Sequence, residues 1–465
     1  MISRERELPA ARTGDYLAFR RAVFSDLGQH LSLENTAAAS LTPPPGMKAD
    51  ELDESARAAM QNGNFPLAVQ LLKRAVEVEP KHKYAWNNLG LAYLALRQND
   101  DAIGAFRKAV EVNPYDEFAF NNLGRVYWQM RKYDDAANAF HKQLEINPLD
   151  KFAHSNLGAM YAEWHKYDEA APELEKAASL TPNDPALQVS LGDAYLNLGQ
   201  DDKALAAFDR AIEISATPLV WNNIAYQLSL KNTHLDKAQQ YAESAVAATA
   251  AALRNLSLDQ LNQRDLALVP SLIAYWDTLG WVYYAEGKLD KAEKYVAAAW
   301  ELGQHGEVGD HLGQIYEKRG EKEKAIHTYA LALSGLRPIP ETRGRLGSLL
   351  GGEDKVTAAV AKYHDELQEM RTTRLKDRPP STGSAEYFVL LGAAKSGVSV
   401  EGAKFVSGEE KLHTLDDSLH HLTFELSFPD DTPTKILRRG VLSCPPAGGN
   451  CVFMVLLPDD VRSVD

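Results

Sequence analysis

The stretch AWNNLGLAY at residues 85–93 returns as AFNNLGRVY at 119–127 and as AHSNLGAMY at 153–161, a step of 34 residues each time. Self-similarity at this interval constrains the fold more than any composition does. A unit this short cannot bury its own apolar face, so such units stack on one another. Counting Lys83 as position 1 puts Trp86 at 4, Leu89 at 7, Gly90 at 8 and Tyr93 at 11. Ala102 then falls at 20, Phe106 at 24, Ala109 at 27 and Pro114 at 32.

The pattern recurs from residues 117, 151 and 185, with Leu123, Leu157 and Leu191 at position 7 and Gly124, Gly158 and Gly192 at position 8. A weaker copy from 49 keeps Ala56, Ala68, Ala75 and Pro80. Later copies open at Trp221, whose spacing slips by one residue before Ala238, at Trp276 and around Leu312. These positions resemble the tetratricopeptide repeat, eight times over. The resemblance implies a mostly α fold, an α-solenoid of helix pairs wound as a right-handed superhelix. Apolar residues at helical spacing support the same reading. Small residues at 8, 20 and 27 let helices approach, while large ones at 4, 7, 11 and 24 fill the space between them. Acidic residues such as Asp100, Asp134, Asp168 and Asp290 suit the N-terminal end of each second helix.

The array is read as residues 46–376, with an insertion near 250–272 that holds a lengthened helix and a second one ended by Pro270. From 340, Leu346, Gly347 and Ala359 continue the register as a degenerate ninth, capping repeat. Residues 1–45 form an N-terminal helical segment and linker, either a simple capping helix or the end of a region that resembles a bacterial transglutaminase-like domain. The second case would make this chain the C-terminal part of a larger protein. The polar joint DRPPSTGS, 377–384, leads to a small α+β domain at 385–465. There EYFVLLG, GVSVEGAKFVSG, TKILRRGVLSC and NCVFMVLLP read as strands around one helix. This order is similar to the C-terminal domain of TonB-type transducers. The joint predicts that array and domain are separable.

Lys plus Arg total 50 against 64 Asp plus Glu, a formal charge of −14. That balance argues against a nucleic-acid surface, and no apolar run approaches the ~20 residues of a membrane span. Cys444 and Cys451, separated by the turn-forming PPAGGN, are placed to face each other across a hairpin. A disulfide there favours an extracytoplasmic setting such as the periplasm, whereas a reduced pair would suit the cytosol. Neither a phosphate-binding glycine loop nor a zinc-protease motif occurs, so the sequence implies no cofactor, no metal and no catalytic residue.

The asparagines need their own account. Asn88, Asn122, Asn156 and Asn223 occupy position 6, and Asn87, Asn121 and Asn222 position 5. In the repeat family these positions line the concave groove. An amide offers a donor beside an acceptor and can pair with a peptide main chain. The row resembles the asparagine ladder of O-linked N-acetylglucosamine transferase, where a peptide main chain is held, although no transferase domain follows here. Tyr84, Phe118 and Phe152 at position 2, with Arg125 and Trp128, would present aromatic and charged groups to the same partner. The competing reading is that position-6 asparagines serve the array itself by bonding neighbouring groups. The sequence therefore points to a non-enzymatic interaction scaffold for a protein or extended peptide. The alternative is the substrate-recognition arm of a larger bacterial enzyme or envelope protein whose catalytic domain lies upstream.

Overall fold

A computed structural model describes residues 46–457, except 117, 376–381, 395–396, 421, 430, 432–433 and 446–449. The segment 1–45, with its transglutaminase-like resemblance, lies outside the described residues. The chain divides between Ile214 and Ser215 into two compact bodies.

The first body contains five helix pairs, one per repeat: α1 Ala49–Gln61 with α2 Phe65–Val78, α3 Ala85–Ala95 with α4 Asn99–Val112, α5 Ala119–Gln129 with α6 Tyr133–Ile146, α7 Lys151–Glu163 with α8 Tyr167–Leu180, and α9 Pro185–Asn197 with α10 Asp201–Ile214. The weak first repeat packs like the others, with Ala56, Ala68 and Ala75 fully buried. Position 8 shows why glycine stands there. A Cβ on Gly124 would lie 2.7 Å from the Phe140 ring, far inside contact distance. Phe106, Phe140 and Phe208, each at position 24, fill the space that such glycines leave and are almost wholly buried.

Two further contacts recur along this body. Position 34 caps the following helix: Asp116 Oδ1 accepts from Phe118 N and Ala119 N, Asp150 Oδ1 from Phe152 N and Ala153 N, and His82 Nδ1 from Tyr84 N and Ala85 N. These bonds satisfy amides that a helix start leaves open. The position-11 tyrosine reaches position 25 of the preceding repeat. Tyr127 accepts from Arg107 at 2.7 Å, Tyr161 meets His141 at 3.2 Å, and Tyr195 donates to Glu175 at 2.5 Å. Burial and Glu175 push the Tyr195 phenol up to about 12.

In the second body α11 Pro218–Leu230 pairs with α12 Leu235–Arg254. The slip in spacing falls in their connection, where Asn232 and His234 both take left-handed backbone (φ 51° and 47°). After a 3₁₀ turn at Leu258–Gln260 come α13 Gln263–Ala285 with α14 Leu289–Gly303, α15 Gly306–Lys318 with α16 Lys322–Ala332, and α17 Pro340–Leu350 with the short α18 Val356–Tyr363. Pro270 does not end a helix; it lies inside α13. Proline removes one helical bond, but Val269, Leu272, Ile273 and Trp276 are buried at helical spacing on both sides of it. Packing carries the helix through.

The last helices also differ from the sequence expectation. A second helix of the ninth repeat was expected through Lys376, yet α18 stops at Tyr363, α19 covers only Glu366–Glu369, and Thr372–Arg374 form strand β1. β1 pairs antiparallel with β6 Val452–Val455, and Val455 N donates to Arg371 O. The other strands are β2 Gly383–Ala393, β3 Val398–Gly408, β4 Thr423–Phe424 and β5 Ile436–Cys444, with the short helix α20 Asp416–Leu419 between β3 and β4. The antiparallel sheet runs β1-β6-β5-β2-β3-β4. Cys444 and Cys451 form a disulfide at the hairpin of β5 and β6, with Cα atoms 4.3 Å apart.

The sheet does not hang from a free joint. Phe428 meets the fully buried Trp276 edge-on, with ring centroids 5.5 Å apart. Tyr295 donates to Asp431 at 2.8 Å, Ser427 N and Oγ both donate to Glu301, and Arg438 Nη2 donates to Leu302 O at 3.2 Å. These contacts tie strands to helices within this body. Among the described residues no helix is long and apolar enough to cross a membrane.

Candidate functional site

The asparagine row is built from the first helix of each repeat, and its side chains meet across repeat boundaries. Asn122 Nδ2 donates to Asn87 Oδ1 at 3.0 Å, and Asn156 Nδ2 donates to Asn121 Oδ1 at 3.0 Å. Asn88 Nδ2 donates to Asp53 Oδ1 at 2.7 Å. In each case a position-6 donor meets a position-5 acceptor of the preceding repeat. Asn121 and Asn122 are buried, while Asn87, Asn88 and Asn156 are half-buried. Ser190, at position 6 of the fifth repeat, ends the row by bonding its own helix at Ala186 O.

The same geometry appears in the second body with other side chains, and the sequence reading missed it because it followed the asparagines. His311, at position 6, bonds Asp277, at position 5 of the preceding repeat, at 2.9 and 3.1 Å. Arg345 at position 6 bonds Asp310 at position 5 at 2.6 Å, and Thr342 and Gln314 complete the shell of that buried carboxylate. Trp281 stacks on His311 at 4.1 Å. Burial alone would lower the His311 pKa, but Asp277, with Glu307 and Asp310, raises it above the ordinary imidazole value. The constant is the pair of positions, not the residue type. Asn222 departs from it: its Oδ1 is buried without a hydrogen-bond partner among the described residues, while Asn223 is exposed.

The position-2 rings stay outward. Tyr84, Phe118 and Phe152 are 52, 50 and 54% exposed, with Lys83 over the Tyr84 ring and Lys151 over the Phe152 ring. Arg125 and Trp128 come together elsewhere. With Leu94, Gln129, Arg131 and Glu163 they line a cavity of about 390 Å³ that draws on three successive repeats at positions 9, 12, 13 and 15. The asparagines and the position-2 rings are not part of its wall. Trp128 Nε1 donates to Glu163 Oε2 at 2.8 Å and the Tyr133 hydroxyl donates to Oε1 at 2.9 Å, so both carboxylate oxygens are held. Tyr133 stacks on Trp164 at 5.3 Å, under Lys166. Desolvation and then Glu163 raise the Tyr133 pKa, against the opposing charge of Arg131. The result is an indole fixed in place, flanked by guanidinium groups. Among the described residues no three His, Cys, Asp or Glu converge as a metal site.

Three tetratricopeptide-repeat families match the chain, one at residues 54–117 and 121–185, a second at 162–225 and a third at 310–344. The chain carries tetratricopeptide repeats. No curated protein matches it. Solved structures that it resembles include a crystal structure of MamA protein (23% identity, 36% of this chain and 92% of that one, TM-score 0.34). Another is MamA 41-end from Desulfovibrio magneticus RS-1 (20% identity, 36% and 95%, TM-score 0.34). A third is YrrB, described as a TPR protein with an unusual peptide-binding site (21% identity, 38% and 92%, TM-score 0.33).

Proposed function

We propose that this chain is a non-catalytic interaction scaffold that takes a peptide segment of a protein partner on the groove face of its second to fourth repeats. The observation that carries this reading is the cavity around Trp128. It is made jointly by three repeats, so it exists only because the helices stack. Its tryptophan is held through Glu163 rather than left to swing, and ordering the anchor in advance lowers the entropic cost of binding. Tryptophan and arginine are the side chains that most often dominate protein interfaces.

Of the two readings of the asparagines, we favour the brace between repeats over the peptide ladder. A position-6 amide that already donates to the next repeat has one fewer donor for a partner, so Asn122 and Asn156 act mainly as braces and at most lend a second hydrogen to a main chain. The exposed position-2 rings, outside the cavity wall, stay available as a separate contact for the partner.

The test is capture of partners from the source organism with wild-type chain and with Trp128→Ala. A protein retained by wild type and released by the variant, with the melting temperature held, supports the scaffold reading. Identical retention by the folded variant would refute it.

A further inference from the structure

We infer that the Trp128 cavity selects a carboxylate: an Asp or Glu side chain within an extended segment, seated at Arg125 and Arg131 with a neighbouring apolar side chain against Trp128 and Leu94. This rests on the scaffold reading and adds the chemistry of the partner.

The arginines of the first body fall into two groups. Arg57 pairs with Asp53, Arg74 with Glu77 and Arg210 with Glu213, at 3.3, 3.0 and 3.0 Å, and Arg107 bonds Tyr127. The guanidinium groups of Arg125, Arg131 and Arg97 have no hydrogen bond or ion pair among the described residues, and of these three exposed arginines Arg125 and Arg131 stand together on the cavity wall. The one carboxylate beside them, Glu163, is committed through both oxygens to Trp128 and Tyr133. The cavity therefore offers two uncommitted guanidinium groups, whose planar donor forks match a carboxylate.

Arg131 holds a left-handed φ of 56°, as do Arg97 and His165 (59° each) at the same turn position of the neighbouring repeats, where the first and fifth repeats have Gly63 and Gly199 (φ 73° and 68°). Glycine takes that conformation without strain, so Arg131→Gly removes the side chain without straining the turn.

The formal charge of the chain, −14, opposes an acidic partner at long range. Screening limits that repulsion to roughly 8 Å at physiological salt, so contact charges decide. Glu163 also separates the anions: a doubly charged phosphate beside it is repelled more strongly than a carboxylate.

The experiment uses the full chain and fluorescein-labelled dodecapeptides of alternating Glu and Leu, C-terminally amidated. Matched Gln–Leu, Lys–Leu and phosphoserine–Leu peptides are run beside them, together with a Gln–Leu peptide bearing a free C-terminus. The amidated Glu–Leu peptide should bind at least tenfold tighter than the amidated Gln–Leu peptide, and Arg125→Gln with Arg131→Gln should remove that preference. Arg131→Gly should weaken the acidic peptide while leaving the melting temperature unchanged or higher, a split that a purely structural arginine would not give. Equal affinity for Glu–Leu and Gln–Leu, or no binding of either, overturns the inference. So does preference for phosphoserine, or for the free C-terminus over internal glutamates. If Gln–Leu or Lys–Leu binds as tightly as Glu–Leu and Trp128→Ala abolishes it, the scaffold reading stands and the carboxylate fails.

Discussion

Replacing Asn122 by alanine tests whether the amide row braces the repeats. The lost contact is a neutral amide bond of 3.0 Å between Asn122 Nδ2 and Asn87 Oδ1, and such a bond contributes ~0.5–1.5 kcal/mol net. Asn122 is 7% exposed, so truncation also loses packing. The Asn87 oxygen left behind is half-buried and within reach of water, which keeps its penalty small. A total of ~1–2 kcal/mol follows, and at ~2–4 °C per kcal/mol the melt of the first body should fall by ~2–8 °C. Urea and thermal unfolding of the full chain by circular dichroism, with hydrogen exchange read on α5 and α6, gives the value. Asn87→Ala and the double variant complete a cycle whose coupling should lie near ~1 kcal/mol. Coupling near zero, with an unchanged melt for Asn122→Ala, would refute the brace and return the amides to a partner. Replacing Asn88, Asn122 and Asn156 together should lower the melt further, whatever it does to binding.

Truncation before β1 should uncover Trp276 and leave the half-buried Glu301 without Ser427, so the second body should lose cooperative melting; an unaltered melt would show that helices and sheet are independent after all. His311 supplies a pH signature. Its folded pKa is raised above 6.5, so the contribution from pairing with Asp277 is complete below the unfolded value and fades as pH rises through the folded one. Wild type should therefore lose stability relative to His311→Gln as pH is raised through and above ~6.5, and parallel profiles would count against the pair. Reducing the disulfide should lower the melt only modestly, because a loop shorter than the 15 residues that give ~3 kcal/mol is being opened; intact mass showing two free thiols after periplasmic expression would remove that prediction.

Much of the helical architecture was legible because it depends on volume. A glycine at position 8 and a phenylalanine at position 24 are needed together wherever two helices touch, so Gly124 and Phe140 could be read as partners 16 residues apart. The braces were only half legible. Asn122 stood out by identity, but His311 and Arg345 do the same work with different chemistry, and only their positions link them. The seating of the sheet on the helices could not be read at all. Trp276 looked like an ordinary repeat residue, and nothing in its neighbours says that Phe428, some 150 residues on, covers it. Pro270 misled for a related reason: a proline's local rule was outweighed by burial on both sides.

The position-6 to position-5 contact has an orientation. Each braced repeat turns a donor toward its predecessor, Asn88, Asn122, Asn156, His311 or Arg345, and the acceptors that meet them are Asp53, Asn87, Asn121, Asp277 and Asp310. Excising residues 117–150 would bring Asn156 against Asn87, the same amide pair as before, and duplicating that block would copy a working junction. A gene of this kind can grow or shrink by whole modules without inventing a new surface.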